Sequence, residues 1–276
     1  MKESAATMPA AEARQRGMAA AGQFVDILLL TRRSVRTTLR VPAAFLPSLA
    51  ISVFFLFVYD AGLGNIAKLP GFGGDYLGFI LPVAIVSAAV SGAGSAGQAL
   101  VRDLESRYLY KLLLTPASRA AIVLGPIIAG ALELGVQVVI IIVLGVALGM
   151  RPATGLAGLL VVLLLALLWG VAFAGYAAGV ALRTRNAQAA QAATFAFFPL
   201  IFLSTTFVPK ELLAAEWLKV AATINPTTYV LDAMRALLLH GWQGRQLLAG
   251  FVASVLFALV TSTFATLSAR RVLSRT

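Results

Sequence analysis

Few residues of this 276-residue chain have the type and spacing for chemistry. Glu133 is the ionisable group set deep inside an apolar run, with Gln137 one helical turn further on. A charge at mid-bilayer costs about 2.5–3.5 kcal/mol on insertion scales, so such groups face a cavity or a partner. Two readings stand for the pair: a substrate path or proton relay, or a protonated or hydrogen-bonded contact between helices. His240, the single histidine, has no ligand-type partner near it in sequence and reads as a helix-end residue. No HExxH or CxxC occurs, and there is no cysteine for a disulfide or a thiolate metal site. Gly92-Ala93-Gly94-Ser95-Ala96-Gly97 is glycine-rich but lacks the Gly-Lys-Ser/Thr that completes a phosphate loop. It sits within an apolar run, where small residues let helices approach closely, and Gly145/Gly149 and Gly175/Gly179 repeat the pattern. Asp75 has no second intramembrane aspartate with which to form a protease dyad. The chain is therefore expected to be no enzyme, with no catalytic, cofactor or metal residues of its own.

The elements that position these groups follow from composition. Sixty per cent of residues are apolar, 12% are charged, and mean hydropathy is +0.91. Soluble domains carry roughly 45–50% apolar and about 25% charged residues, so the main solvent of this chain is lipid. Backbone in lipid must satisfy its own hydrogen bonds, which leaves helices or a closed barrel. The long unbroken runs, such as Ala157–Leu168 and Val136–Leu148, exclude the alternation of barrel strands. Six stretches reach the ~20 residues a spanning helix needs: Val41–Tyr59, Leu77–Leu100, Ala120–Leu148, Leu156–Leu182, Ala189–Val208 and Leu247–Leu267. With these spans, 16 of the 22 Lys and Arg fall on one side and 6 on the other. The positive-inside bias then places both termini in the cytoplasm of a plasma (inner) membrane protein. The net charge of +11 is a topology signal and an attraction to anionic lipid, not a nucleic-acid footprint.

Four segments are not spans. Residues 1–21 are polar and Ala-rich, without the apolar core of a signal peptide, and read as a flexible cytoplasmic N-terminus. In residues 22–40, Phe24, Leu28, Val35 and Leu39 share one helical face and Asp26, Arg33, Arg36 and Arg40 the other. That pattern fits an interfacial helix on the inner leaflet better than a solvated tail. Residues 101–119 carry Asp103, Arg107 and Lys111 at helical spacing, with Leu104, Tyr108 and Leu112 as an apolar stripe, until Thr115-Pro116 stops the helix. This helix is either a plain connector or a handle that another protein pushes. Residues 209–246 are too long and apolar for a loop and too charged to span. They read as two short external helices dipping back from the outer face. Pro209 opens the first, Asn225 caps the second with Pro226 as its first residue, and Gly241 ends it. Trp217, Tyr229 and Trp242 match an aromatic interfacial belt.

Two blocks carry a family resemblance. The first is Arg102-Asp103-Leu104-Glu105 followed by the run from Leu112-Leu113-Leu114-Thr115-Pro116 to Gly125. The second is Phe207-Val208-Pro209-Lys210-Glu211-Leu212, Trp217-Leu218, Asn225-Pro226-Thr227-Thr228-Tyr229 and Asp232-Ala233-Met234-Arg235. In this order the chain resembles the ABC-2 transporter permeases, above all the daunorubicin-resistance type of drug and antibiotic exporters. It departs where the family often has glycine after the first block, with Ser106-Arg107-Tyr108, and where Ser-Gly is common, with Ser204-Thr205-Thr206. The resemblance implies a cytoplasmic coupling helix over 101–116 seated in a separate ATPase subunit, with Arg102, Asp103, Glu105, Arg107, Tyr108 and Lys111 at that contact. The interfacial helix, with Asp26, Arg33, Arg36 and Arg40, would lie near the same ATPase. Phe207, Pro209, Trp217, Asn225, Pro226, Tyr229, Asp232 and Arg235 would form a re-entrant external gate. ATP and Mg would bind the partner ATPase, and a second permease copy or paralogue would complete the assembly.

The expected fold is thus an all-α integral membrane protein: six transmembrane helices in a domain of residues 41–267, an interfacial helix before it and a cytoplasmic tail at 268–276. The expected cargo is a hydrophobic or amphiphilic drug, antibiotic or lipid. The runner-up is a glycan or lipid-linked glycan, and an ion-coupled secondary transporter centred on Glu133 is the rival of a different class.

Overall fold

The computed structural model describes residues 22, 25–37, 46–65, 75–108, 112, 118–207 and 209–273. Arg40, Lys111, Val208, the stretch 1–21 and Thr115-Pro116 lie outside the described residues. All regular structure among the described residues is helical. Helix α1 covers 25–37, α2 Leu46–Leu63, α3 Tyr76–Gly92, α4 Gly94–Glu105, α5 Arg119–Ala147 and α6 Gly155–Thr184. Then come α7 Ala187–Phe195, α8 Phe198–Phe202, α9 Glu216–Ile224, α10 Pro226–Arg235 and α11 Gly244–Leu273. Among the described residues, five helical stretches are long and apolar enough to cross a membrane: α2, α3 with α4, α5, α6 and α11. Helical geometry pairs the backbone groups inside them, as a lipid solvent demands, except where Pro82 in α3 and Pro126 in α5 have no N–H to donate.

Capping side chains set several of the boundaries. Asp75 starts α3 by accepting the Gly78 N–H at 3.1 Å, and Ser118 starts α5 by accepting that of Ala121 at 3.1 Å. Asn186 caps α7, its Oδ1 accepting from Gln188 and Ala189 at 2.8 and 3.1 Å. Each oxygen satisfies an amide that has no intrahelical acceptor. Helix α6 lies at the centre, packed against α11, α5, α4 and α7. Its small residues permit this. A Cβ added at Gly175 would come within 2.9 Å of Thr261 on α11, and one at Gly97 of α4 within 3.0 Å of the Ala177 carbonyl of α6.

The described residues differ from the expected elements at several points. The stretch read as a fifth span, Ala189–Val208, holds α7, α8 and a turn, and its apolar helical part, Ala187–Phe202, is shorter than the five long stretches. The second apolar stretch breaks at Ala93, where Gln191 Nε2 donates to the Ser91 carbonyl at 3.2 Å, and then continues as α4 to Glu105. The charged residues Arg102, Asp103 and Glu105 therefore ride on the end of this membrane-length helix, and most of the remainder of the helix expected over 101–116 lies outside the described residues. Helical continuity fails at Arg107, whose φ is +55°, so Asp103 and Arg107 do not stack at i,i+4. Gly145 packs on Leu81 as expected, but Gly149 has φ +107° and open space around it, so it ends α5 rather than serving helix contact. Pro209 opens only a 3-10 turn, Lys210–Leu212, and the helix begins at Glu216. Helix α11 runs on into the expected tail as far as Leu273.

The left-handed backbone at Arg107 falls within the Ser106-Arg107-Tyr108 segment that stands where the resembling family often has glycine. A side chain costs about 1–2 kcal/mol in that region, more when β-branched. Arg107→Val is expected to be less stable than Arg107→Gly by about that amount, read as the difference in their thermal midpoints in detergent.

Candidate functional site

At one end of the helix assembly, α1 is fastened to the termini of α4 and α5. Arg33 grips Asp103 with both guanidinium nitrogens, Nη2 to Oδ1 at 2.7 Å and Nη1 to Oδ2 at 3.0 Å. Its guanidinium also lies 3.9 Å from the centroid of the Tyr108 ring. This two-pronged geometry suits arginine and no other cation. The hydrogen bond from Arg33 to Asp103 holds the guanidinium pKa above its ordinary value. Asp26 Oδ2 accepts the Ser118 N–H at 3.3 Å, adding an acceptor at the N-terminus of α5. Thr31 Oγ1 donates to the Gly125 carbonyl at 3.4 Å, and Leu30 packs where Gly125 has no side chain. The polar side of α1 thus faces the protein, while Val25, Leu28 and Leu29 are more than half exposed. That is the arrangement for a helix whose apolar flank meets lipid. Arg36, Arg102, Glu105 and Arg107 are exposed around this junction, whereas Asp103 and Tyr108 are half-buried by holding α1. No local pattern links positions 33 and 103, so their pairing was not visible in the sequence.

At the opposite end stands a buried arginine. Arg235, 5% exposed, donates from Nε to the Phe79 carbonyl at 3.0 Å, from Nη1 to the Thr205 carbonyl at 2.6 Å and from Nη2 to the Thr206 carbonyl at 2.9 Å. It also reaches Thr205 Oγ1 at 3.1 Å and lies 3.5 Å from the Phe79 ring centroid. Asp232 sits 3.8 Å away and accepts from Thr205 Oγ1 at 3.0 Å. Phe79, Thr205 and Thr206 were not singled out as partners of Arg235. The available signal was the cluster Ser204-Thr205-Thr206 inside an apolar stretch, and all three are buried.

Asn225 joins two elements at this end. Its Oδ1 caps α10 through the Thr227 N–H at 2.9 Å, and its Nδ2 donates to the Leu200 and Leu203 carbonyls at 2.5 and 3.3 Å. Pro226 follows as the first residue of α10, where a missing N–H costs nothing. After Arg235 the helix widens into a π turn, Ala236–His240, closed by Gly241 at φ +101°. The carbonyls of Leu237 and Leu238 accept from Thr154 Oγ1 at 2.7 Å and the Ala153 N–H at 2.8 Å, tying the turn to the start of α6. Phe207 stacks edge-on to Tyr59 at 5.3 Å, and Tyr229 Oη donates to the Thr223 carbonyl at 2.6 Å. Pro209 lines a cavity beside Arg235, while Trp217 is 67% exposed on α9. The structure therefore brings Asn225, Asp232, Arg235 and Phe207 into one packed region and leaves Trp217 outside it.

Asn225→Ala removes a cap and strips a donor from two carbonyls, at an expected cost of about 2–4 kcal/mol. Asn225→Ser keeps a capping oxygen and loses the amide donors without facing a carboxylate toward the carbonyls. The order wild type, Ser, Ala in denaturation midpoints checks this division of labour.

Between the two ends, Gln137 is buried and its Oε1 accepts from Ser48 Oγ at 3.1 Å, bridging α5 to α2. Its Nε2 and Glu133 Oε1 have no hydrogen-bond partner among the described residues. They border a void of about 10 Å³ at the α3–α4 break, at the lower bound for a single water. Among the described residues no group of acidic, His or Cys side chains could hold a metal ion.

A helical chain with several apolar crossings and charged or polar clusters at both ends is a multi-pass membrane protein. Its sequence matches the ABC-2 type transporter family over residues 25–239, and the chain belongs to that family. It is 27% identical over 223 residues to a probable doxorubicin resistance ABC transporter permease protein, DrrC, of Mycobacterium tuberculosis, covering 80% of each chain. It is 26% identical over 171 residues to the daunorubicin resistance ABC transporter permease protein DrrB1 of Streptomyces coeruleorubidus, covering 62% of this chain and 60% of that one. A putative transport permease, ycf38, of Cyanophora paradoxa shares 24% over 218 residues, 78% of this chain and 74% of the other.

Proposed function

We propose that this chain is the membrane-embedded permease of an ATP-driven exporter that moves a hydrophobic or amphiphilic compound outward. ATP and Mg bind a separate ATPase subunit, and a second permease copy or paralogue completes the path. The observation that carries the reading is the junction of α1 with the charged end of α4, in a chain whose relatives are named as drug-resistance permeases. Both termini and the Arg33–Asp103 junction face the cytoplasm of the plasma membrane. The Arg235 region faces outward. The short pair α7–α8 makes the sixth crossing, and residues 22–40, 41–267 and 268–276 form interfacial, transmembrane and cytoplasmic parts.

On this reading Arg102, Glu105 and Arg107 meet the ATPase, while Asp103 and Tyr108 hold α1 against the same turn. The helix that starts at Tyr76 and ends at Glu105 is one 30-residue stretch. From Phe79 to Glu105 it spans about 39 Å at 1.5 Å per residue. A push at its charged end therefore reaches the Phe79 carbonyl that Arg235 grips. The break at Ala93 gives this rod a place to bend. Differential affinity of the two nucleotide states for the inner turn then shifts the helix between two positions, as any ligand-driven shift requires.

The apolar interior and the names of the relatives make doxorubicin the first probe. Cells producing the chain with the ATPase that co-purifies with it are expected to accumulate less doxorubicin than cells lacking either subunit. Equal accumulation in all strains would remove the drug class, and failure of any ATPase to co-purify would remove the exporter reading itself.

A further inference from the structure

A cavity of about 220 Å³ opens beside the buried arginine, lined mainly by Lys210, Asp232, Arg235, His240 and Gln246, with Phe79 and Pro209. It is smaller than the roughly 300–1,000 Å³ of a drug-sized ligand site, so it suits a polar headgroup rather than a whole drug. Its charges are unequal. Arg235 does not shed its proton, and its donors are committed to carbonyls and to Asp232 nearby. Asp232 in turn accepts from Thr205. Setting Arg235 against Asp232 leaves Lys210 as the surplus cation of the lining among the described residues, so the cavity favours an anion. Gln246 Oε1 is buried without a hydrogen-bond partner among the described residues. A buried acceptor of that kind calls for a donor on the ligand. Helix α11, which supplies Gln246, exposes Leu248, Val252 and Leu256 further along, apolar surface on which acyl chains lie in a bilayer.

We infer that this cavity binds an anionic phosphodiester headgroup carrying hydroxyl donors, of the phosphoglycerol class. Lys210 meets the phosphate and Gln246 Oε1 accepts from a headgroup hydroxyl. His240 supplies a further ring nitrogen at the same lining. The ligand comes either from phosphatidylglycerol of the surrounding leaflet or from a soluble glycerophosphodiester. The inference uses only the cavity and the multi-pass membrane character of the chain, and its binding readout needs no ATPase. Its failure is thus separable from failure of the exporter reading.

The test is binding to the purified full chain in detergent, followed by thermal midpoint against added short-chain phosphatidylglycerol, phosphatidylethanolamine or phosphatidylcholine. Deacylated glycerophosphoglycerol forms a fourth arm. The expected result is stabilisation by phosphatidylglycerol at lower concentration than by the other two lipids. Lys210→Gln and Gln246→Leu should each weaken it about tenfold, a change of about 1.4 kcal/mol. Arg245→Gln, an exposed cation at the same end, should leave it unchanged. Glycerophosphoglycerol binding as well as the lipid keeps the site and assigns it a soluble ligand, whereas weak binding assigns it a membrane lipid. Equal response to all three lipids, no loss in Lys210→Gln, or equal loss in Arg245→Gln overturns the inference.

Discussion

Arg235→Met is expected to lower the stability of the folded chain by about 3–5 kcal/mol, the cost of removing one partner from a buried charged network. Methionine fills similar volume, so the loss comes from polar groups rather than from a void. The carbonyls of Phe79, Thr205 and Thr206 would each lose the donor that Arg235 supplies, and Asp232 would lose the cation beside it. Each buried acceptor left unmade costs about 1–3 kcal/mol. Arg235→Lys keeps the charge but not the fork, and should fall between wild type and Met. Denaturant titration of the purified chain reads the series. A Met variant within about 0.5 kcal/mol of wild type, the range of surface substitutions, would show that the network is not what holds α3 to α10.

Asp103→Arg is expected to cut ATP-driven transport by about tenfold or more, the scale of a coupling free energy above about 1.4 kcal/mol. The substitution puts a second guanidinium against Arg33 and releases α1 from the end of α4. Because the pair is partly exposed, its share of overall stability is modest, about 1 kcal/mol or less, so the chain should still insert and fold. The paired exchange Arg33→Asp with Asp103→Arg should recover a substantial part of the lost transport, since it restores opposite charges at the same two positions. Transport per copy in membranes, normalised to protein level, separates loss of coupling from loss of protein. Failure of the exchange to recover any activity would mean that Asp103 acts on the ATPase directly.

Much of the helical frame was legible because hydrophobic run length is a strong signal in lipid. Asn225-Pro226 marked the start of α10 correctly, since cap chemistry is local. The break at Ala93 was not legible: Gly92–Gly97 reads equally as a straight small-residue face, and the Gln191 donor that satisfies Ser91 comes from a distant helix. Pro209 misled, because a proline that fits the first turn of an α-helix also fits a 3-10 turn. Arg235 stood out within its motif, yet its acceptors are backbone carbonyls, which no side-chain pattern encodes. The same holds for the role of Asp103. Sequence spacing offered Arg107 as its neighbour, and the fold gave it Arg33.

On the proposed reading an ATPase on the α1 side drives this permease. Vesicles reconstituted with the chain, its co-purifying ATPase and doxorubicin measure it most directly. Drug movement that requires both the ATPase and hydrolysable ATP, and that fails with the permease alone, is the expected outcome. Drug movement by the permease alone, driven by an imposed proton gradient without nucleotide, would contradict it and return attention to Glu133.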